Sequence, residues 1–185
     1  FRQRNGVIPL PPFTRWFVFF DFDGDGRVDL CTEDTSYVGI KVYKNTGTIQ
    51  IPVFTLLYST LLDVNGNAVF AGQSSIPTFA DIDADGDFDF FSANYDGTVN
   101  FYENIGLAES PAYIYRTGFW QHITIYGDTC TNAPAHSSLH GAAAYRFADI
   151  NGDGALDMFI GDLFSTSLFY LCNTGTPQIP HIVCC

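Results

Sequence analysis

The stretch DFDGDGRVDL places Asp21, Asp23, Asp25 and Asp29 within nine positions, with Gly24 and Gly26 between them. Two unit charges about 4 Å apart repel by roughly 4 kcal/mol at an effective dielectric near 20. Converging carboxylates therefore call for a positive partner. The same pattern returns as DIDADGDFDF from Asp81 and as DINGDGALDM from Asp149. In each, oxygen-bearing residues fall at positions one, three, five and nine, with glycine at position six: Gly26, Gly86 and Gly154.

This is chemistry for a hard cation. Calcium takes six to eight oxygen ligands in a flexible shell, and a loop with alternating oxygens and a backbone carbonyl at position seven can wrap it. The expected ligands of the first loop are Asp21, Asp23, Asp25, the carbonyl of Arg27, and Asp29. Those of the second are Asp81, Asp83, Asp85, the carbonyl of Asp87, and Asp89. Those of the third are Asp149, Asn151, Asp153, the carbonyl of Ala155, and Asp157. Arg27 fits a backbone role because its own side chain would repel a cation. A helix-flanked calcium loop requires a bidentate Glu at position twelve, where this chain has Thr32, Ser92 and Ile160. Magnesium keeps several waters and demands octahedral geometry, so an all-protein cage favours calcium. An Asp/Gly turn that binds nothing is the alternative for any one loop; three matched loops weigh against it.

The elements that must hold these loops read as β. Apolar runs enter them, FVFF at 17–20, PTFA at 77–80 and YRFA at 145–148, and VDLCT, FDFFSA and LDMFIG leave them. Aromatic and β-branched content of this kind favours strands. A third strand ends on Asn45, Asn104 or Asn173, placed 24, 23 and 24 residues after the first Asp of its loop. Asn-x-Gly then turns the chain into a fourth, proline-marked strand. Asp96-Gly97 and Asn65-Gly66 are hairpin-turn signals. The repeat intervals are 60 and 68 residues, so one supersecondary unit is used three times. The expected organisation is an N-terminal strand or linker over 1–16, a first blade over 17–76, a second over 77–144 and a truncated third over 145–185. The segment near 119–144, rich in Pro, Ser and Ala, reads as an exposed excursion. Four antiparallel strands per unit make a β-propeller blade. Three blades form a partial or open propeller, or one completed by neighbouring chains.

Among 185 residues, 46% are hydrophobic, with 18 Phe and 10 Tyr, which supports a packed core. Eight Lys+Arg against 20 Asp+Glu give a formal charge of −12. That excludes a phosphate-binding surface for nucleic acid and disfavours anionic membranes. No apolar run reaches the roughly 18 residues of a membrane span. The opening FRQRNG is unlike a signal peptide and has no initiating Met, so a processed form or a piece of a longer chain is expected. Cys31, Cys130, Cys172, Cys184 and Cys185 show no zinc spacing. Disulfides are expected among them, their pairing open, with one thiol left over; Cys31 also reads as a small buried hydrophobe. His136 and His140 are four apart, but Ser, Gly and Pro around them favour a loop over a metal-binding helix. His122 and His181 read as strand residues that pack or face solvent. No catalytic motif is recognisable, so no enzyme is expected.

The loops and the FYEN.G segment resemble the FG-GAP and VCBS type of calcium-binding β-propeller repeat, found in integrin α-subunit heads and many secreted bacterial proteins. The resemblance covers about residues 17–185. It implies calcium at each of the three loops, a propeller fold and an extracellular setting. The Phe-Gly and Gly-Ala-Pro elements that give the family its name are not distinct in this chain. The function expected is a non-enzymatic extracellular scaffold for adhesion or assembly, with self-association or another extracellular protein as partner. The alternatives are a carbohydrate-binding propeller, with Trp120 and Tyr126 stacking on sugars, and an accessory domain of a secreted polysaccharide-active enzyme.

Overall fold

The computed structural model describes residues 10–11, 15–72, 75–126, 129–133, 143–162 and 166–184. Its regular structure is β, apart from one short 3₁₀ turn at Trp120–His122. Strands β1 (Phe17–Phe20), β2 (Asp29–Glu33), β3 (Ile40–Asn45) and β4 (Phe54–Tyr58) form the first sheet in sequential order. The second holds β5 (Thr78–Ala80), β6 (Asp89–Ala93), β7 (Val99–Asn104) and β8 (Tyr113–Thr117). Strands β9 (Thr124–Tyr126) and β10 (Thr129–Thr131) pair with each other. The third four-stranded sheet holds β11 (Ala143–Ala148), β12 (Asp157–Asp162), β13 (Leu168–Asn173) and β14 (Ile182–Cys184). Among the described residues all strand pairs are antiparallel, and none of the sheets closes into a barrel.

Period-two alternation explains how the sheets stack. In β6, Phe90 points into one core and its neighbour Phe91 into the other. The first core lies between the first and second sheets. Phe22, Cys31, Ile40 and Val42 come from one side, and Phe79, Phe90, Tyr102 and Tyr113 from the other. Phe20 stacks on Phe79 with ring centroids 4.1 Å apart. The second core repeats the scheme one sheet further on. Ile82, Phe91, Val99 and Phe101 face Phe147, Met158, Leu171 and Ile182. Each sheet thus has a leading face, which packs on the sheet that follows, and a trailing face, which packs on the sheet before it.

The segment near 119–144 departs from the exposed excursion expected of it. Trp120, Ile123 and Ile125 are buried in the second core, and the Ile125 N–H donates to the Gly97 carbonyl at 3.1 Å. A disulfide joins Cys130 of β10 to Cys184 of β14. Composition misled because the apolar residues are few and lie among polar ones, yet they fill a gap beside Phe91, whose ring sits 4.9 Å from that of Trp120. Burial also removes Trp120 as a sugar-stacking platform. His136, His140 and the side chain of Tyr126 lie outside the described residues. His122 falls in the 3₁₀ turn and His181 just before β14, so neither is in a strand; both are exposed. Of the first 16 residues, Leu10, Pro11, Arg15 and Trp16 are described, and none is in a strand. Cys31 is a free, fully buried thiol.

Candidate metal centre

Each acidic loop joins the first two strands of its sheet and is built the same way. The carboxylate at position one receives the N–H groups of positions five and six. Asp25 and Gly26 donate to Asp21 at 3.0 and 2.8 Å, Asp85 and Gly86 to Asp81 at 3.1 and 3.2 Å, and Asp153 and Gly154 to Asp149 at 3.2 and 2.9 Å. That curl needs left-handed backbone at position six, which Gly26, Gly86 and Gly154 supply at φ of 81°, 98° and 90°. Position four is left-handed too, at Gly24, Ala84 and Gly152.

The Asp at position nine begins the second strand and is buried in all three repeats. One oxygen accepts the N–H of the Asn that ends the third strand: Asp29 from Asn45 at 2.6 Å, Asp89 from Asn104 at 2.8 Å, Asp157 from Asn173 at 2.7 Å. Each of those Asn side chains in turn closes the turn into the fourth strand. Asn104 Oδ1 accepts from Gly106 and Ala112 at 3.0 and 2.8 Å, and Asn45 and Asn173 do the equivalent. The glycine after it is required by close approach: a Cβ on Gly47, Gly106 or Gly175 would lie 2.2–2.3 Å from a backbone oxygen. The spacing of the Asn was visible in the sequence; its role as the clamp between the acidic loop and the outer turn was not.

The ligand sets converge unequally. In the first loop, Asp21, Asp23 and Asp29 bring oxygens within 4.8 Å of one another. Asp25 instead pairs with Arg27, whose Nε also donates to the Asn45 carbonyl at 2.9 Å. Lys44 donates to Asp23 and, at 3.0 Å, to Asp25. In the second loop the converging set is Asp81, Asp83 and Asp85. In the third, the carboxylates of Asp149, Asp153 and Asp157 do not gather so closely, and Asn151 donates to Asp153 at 2.8 Å. The side chains at position seven also differ: Arg27 folds back on its loop, Asp87 is buried, and Ala155 is buried.

Electrostatics follow these neighbours. Burial pushes Asp25 up, but Lys44 and the Arg27 N–H outweigh it and hold the carboxyl below its ordinary range. Asp29 is raised by burial, with Asp23 and Asp25 adding to the rise against the lowering effect of the Asn45 and Phe22 N–H groups. In the second loop every resolved shift is upward. Burial and then Asp85 and Asp81 raise Asp83. Burial, with Asp85, Asp83 and Asp81 behind it, raises Asp87 to about 6. Burial raises Asp89 to about 8 against the Asn104 N–H, with Asp83 and Asp87 adding. Among the described residues, Asp87 Oδ1, Asp89 Oδ2 and, in the first loop, Asp23 Oδ1 are buried without a hydrogen-bond partner. Buried carboxylate oxygens without donors are costly, and a cation relieves that cost. The second loop's donor set is therefore suited to a hard divalent ion.

No known protein family, curated protein or solved structure matches this chain.

Proposed function

We propose that the chain is a calcium-stabilised extracellular scaffold, built from propeller-type blades of the FG-GAP or VCBS kind, that serves adhesion or assembly. One observation carries the reading: the second loop crowds five aspartates, two with buried unpartnered oxygens, and among the described residues no ion pair reaches any of them. Asp81, Asp83, Asp85 and Asp89, with the carbonyl of Asp87, would hold the ion. Bound calcium supplies the missing positive charge and fixes the loop. The Asp89–Asn104 clamp then passes that order to β7 and to the turn before β8. The first and third loops are proposed as equivalent sites. A disulfide between Cys130 and Cys184 fits an oxidising compartment, as does the −12 charge for a cation-rich exterior.

Calorimetric titration and thermal melts of the whole chain test this. At each site, calcium at 100 times its Kd stabilises by about 2.7 kcal/mol, which is roughly 5–10 °C in Tm per site for a chain of this size. Asp85→Ala removes most of the second site's share and leaves the chelated melting temperature nearly unchanged. Equal melting temperatures in chelator and in about 10 mM calcium, above the weakest extracellular affinities, refute the reading.

A further inference from the structure

The two internal sheet junctions use the same positions, and the same positions are uncovered at the two ends of the stack. On the leading face, Ile82 and Val99 of the second sheet are 2% and 0% exposed, and Phe22 and Ile40 of the first are 4% and 0%. Their counterparts in the third sheet, Ile150 and Leu168, are 62% and 68% exposed. Beside them Tyr170 stacks on Phe159 at 5.3 Å, where the first two sheets place Val42 on Cys31 and Phe101 on Phe91 inside a core. On the trailing face, Phe79 and Tyr113 of the second sheet receive Phe20 and Phe22. Their counterparts in the first sheet, Phe19 and Phe54, instead line an open apolar groove of about 430 Å³ with Val28, Ile49 and Pro52. Leu10 reaches this groove and is itself half exposed. Leu30, also on this face, is already covered.

We infer that the third sheet of one copy packs on the first sheet of a second copy, continuing the sheet-on-sheet contact that the chain already makes twice. Ile150 and Ala148, standing where Phe22 and Phe20 stand in the first sheet, enter the groove beside Phe19 and Phe54. The contact joins unlike faces, so it is heterologous. It generates a closed ring if the rotation closes and a filament if it does not. The surface deepens the scaffold reading and rests on its blade repeat, but not on its calcium.

Sedimentation of the whole chain across concentration tests it, with Leu168→Glu on one face and Phe19→Glu on the other. Both sites are exposed, so melting curves taken at concentrations where the wild type is dissociated should match it. Wild type is expected to associate, and either single variant to lose growth beyond the monomer. Mixing the two variants should restore one intact junction and give a dimer that grows no further, because L168E keeps the first-sheet face and F19E keeps the third-sheet face. A wild type that stays monomeric at all concentrations overturns the inference. So does association that survives F19E, which would mean that like faces meet. Calorimetric calcium titration is a separate readout: loss of calcium binding with association intact removes only the calcium reading, and the converse removes only this contact.

Discussion

The first and second acidic loops share a spacing and a backbone fold but meet opposite neighbours. Position seven is Arg27 in one and Asp87 in the other. The residue before the clamping Asn is Lys44 in one and Glu103 in the other. Lys44 and Arg27 bond the first loop's carboxylates directly. Glu103 turns to Arg116 and adds negative charge beside Asp83. One motif is thus partly offset from within the chain, by two cations against four aspartates, whereas among the described residues no ion pair reaches the carboxylates of the other. Sequence spacing defines the cradle; two residues outside the acidic positions decide how much it depends on an ion from solution.

The sharpest break between the loops is expected in pH dependence. Asp89 binds its proton more tightly in the fold, at about 8, than in the unfolded chain near 3.8. The extra stability is fully present below the unfolded value and is lost as pH rises to about 8. Asp87 adds loss between 3.8 and about 6. Asp25, whose value is lowered, acts in the opposite sense and only in acid. Chelated protein should therefore lose several kcal/mol between pH 4 and 8, and calcium, held by the ionised carboxylates as proposed, should cancel most of that loss. Melts in chelator that stay level or climb across this window contradict the assignment. Asp89→Asn should flatten the chelated profile.

Exchanging the neighbours tests the comparison more gently. Glu103→Lys places an ammonium where Lys44 stands in the first loop. It should weaken calcium binding at the second loop by about tenfold, or 1.4 kcal/mol, while raising the chelated melting temperature. Glu103→Gln separates added positive charge from loss of the Arg116 pair. The reverse change, Lys44→Glu, should strip the first loop of one of its two internal cations and make its stability more strongly calcium-dependent. Calorimetry that finds the affinities of both variants unchanged leaves the charge comparison without support.

The strands were legible because aromatic and β-branched runs sit at fixed distances from the acidic loops. FVFF, PTFA and FDFFSA contain β1, β5 and β6, whereas β2, β11 and β12 extend one or two residues past VDLCT, YRFA and LDMFIG. Period-two alternation lies in the same runs, but which core a residue enters depends on how the sheets stack. The hairpin at 124–131 escaped notice because three-residue strands leave no periodic signal, and Trp120 is buried by partners from distant β6 and β11. The acidic positions were readable from spacing alone. That Asp29, Asp89 and Asp157 also anchor the clamping Asn was not, because the bond runs to a backbone N–H some 15 or 16 residues away.

The smallest effect sits at position four. Gly24 adopts φ of 64° without steric penalty, whereas Ala84 holds φ of 55° with a Cβ that crowds the following carbonyl. Left-handed backbone costs an L-residue roughly 1–2 kcal/mol, partly offset by the greater flexibility of glycine in the unfolded chain. Ala84→Gly should therefore stabilise the second loop by about 1 kcal/mol, or roughly 2–4 °C in Tm. Gly24→Ala should destabilise the first by more, since its new Cβ would meet Ala108 at 3.2 Å as well as the strained φ. Both changes leave every carboxylate in place, so paired melts in chelator read the backbone alone. A drop in Tm for Ala84→Gly would mean that residue 84 is not left-handed, and that the two loops differ in shape as well as in charge.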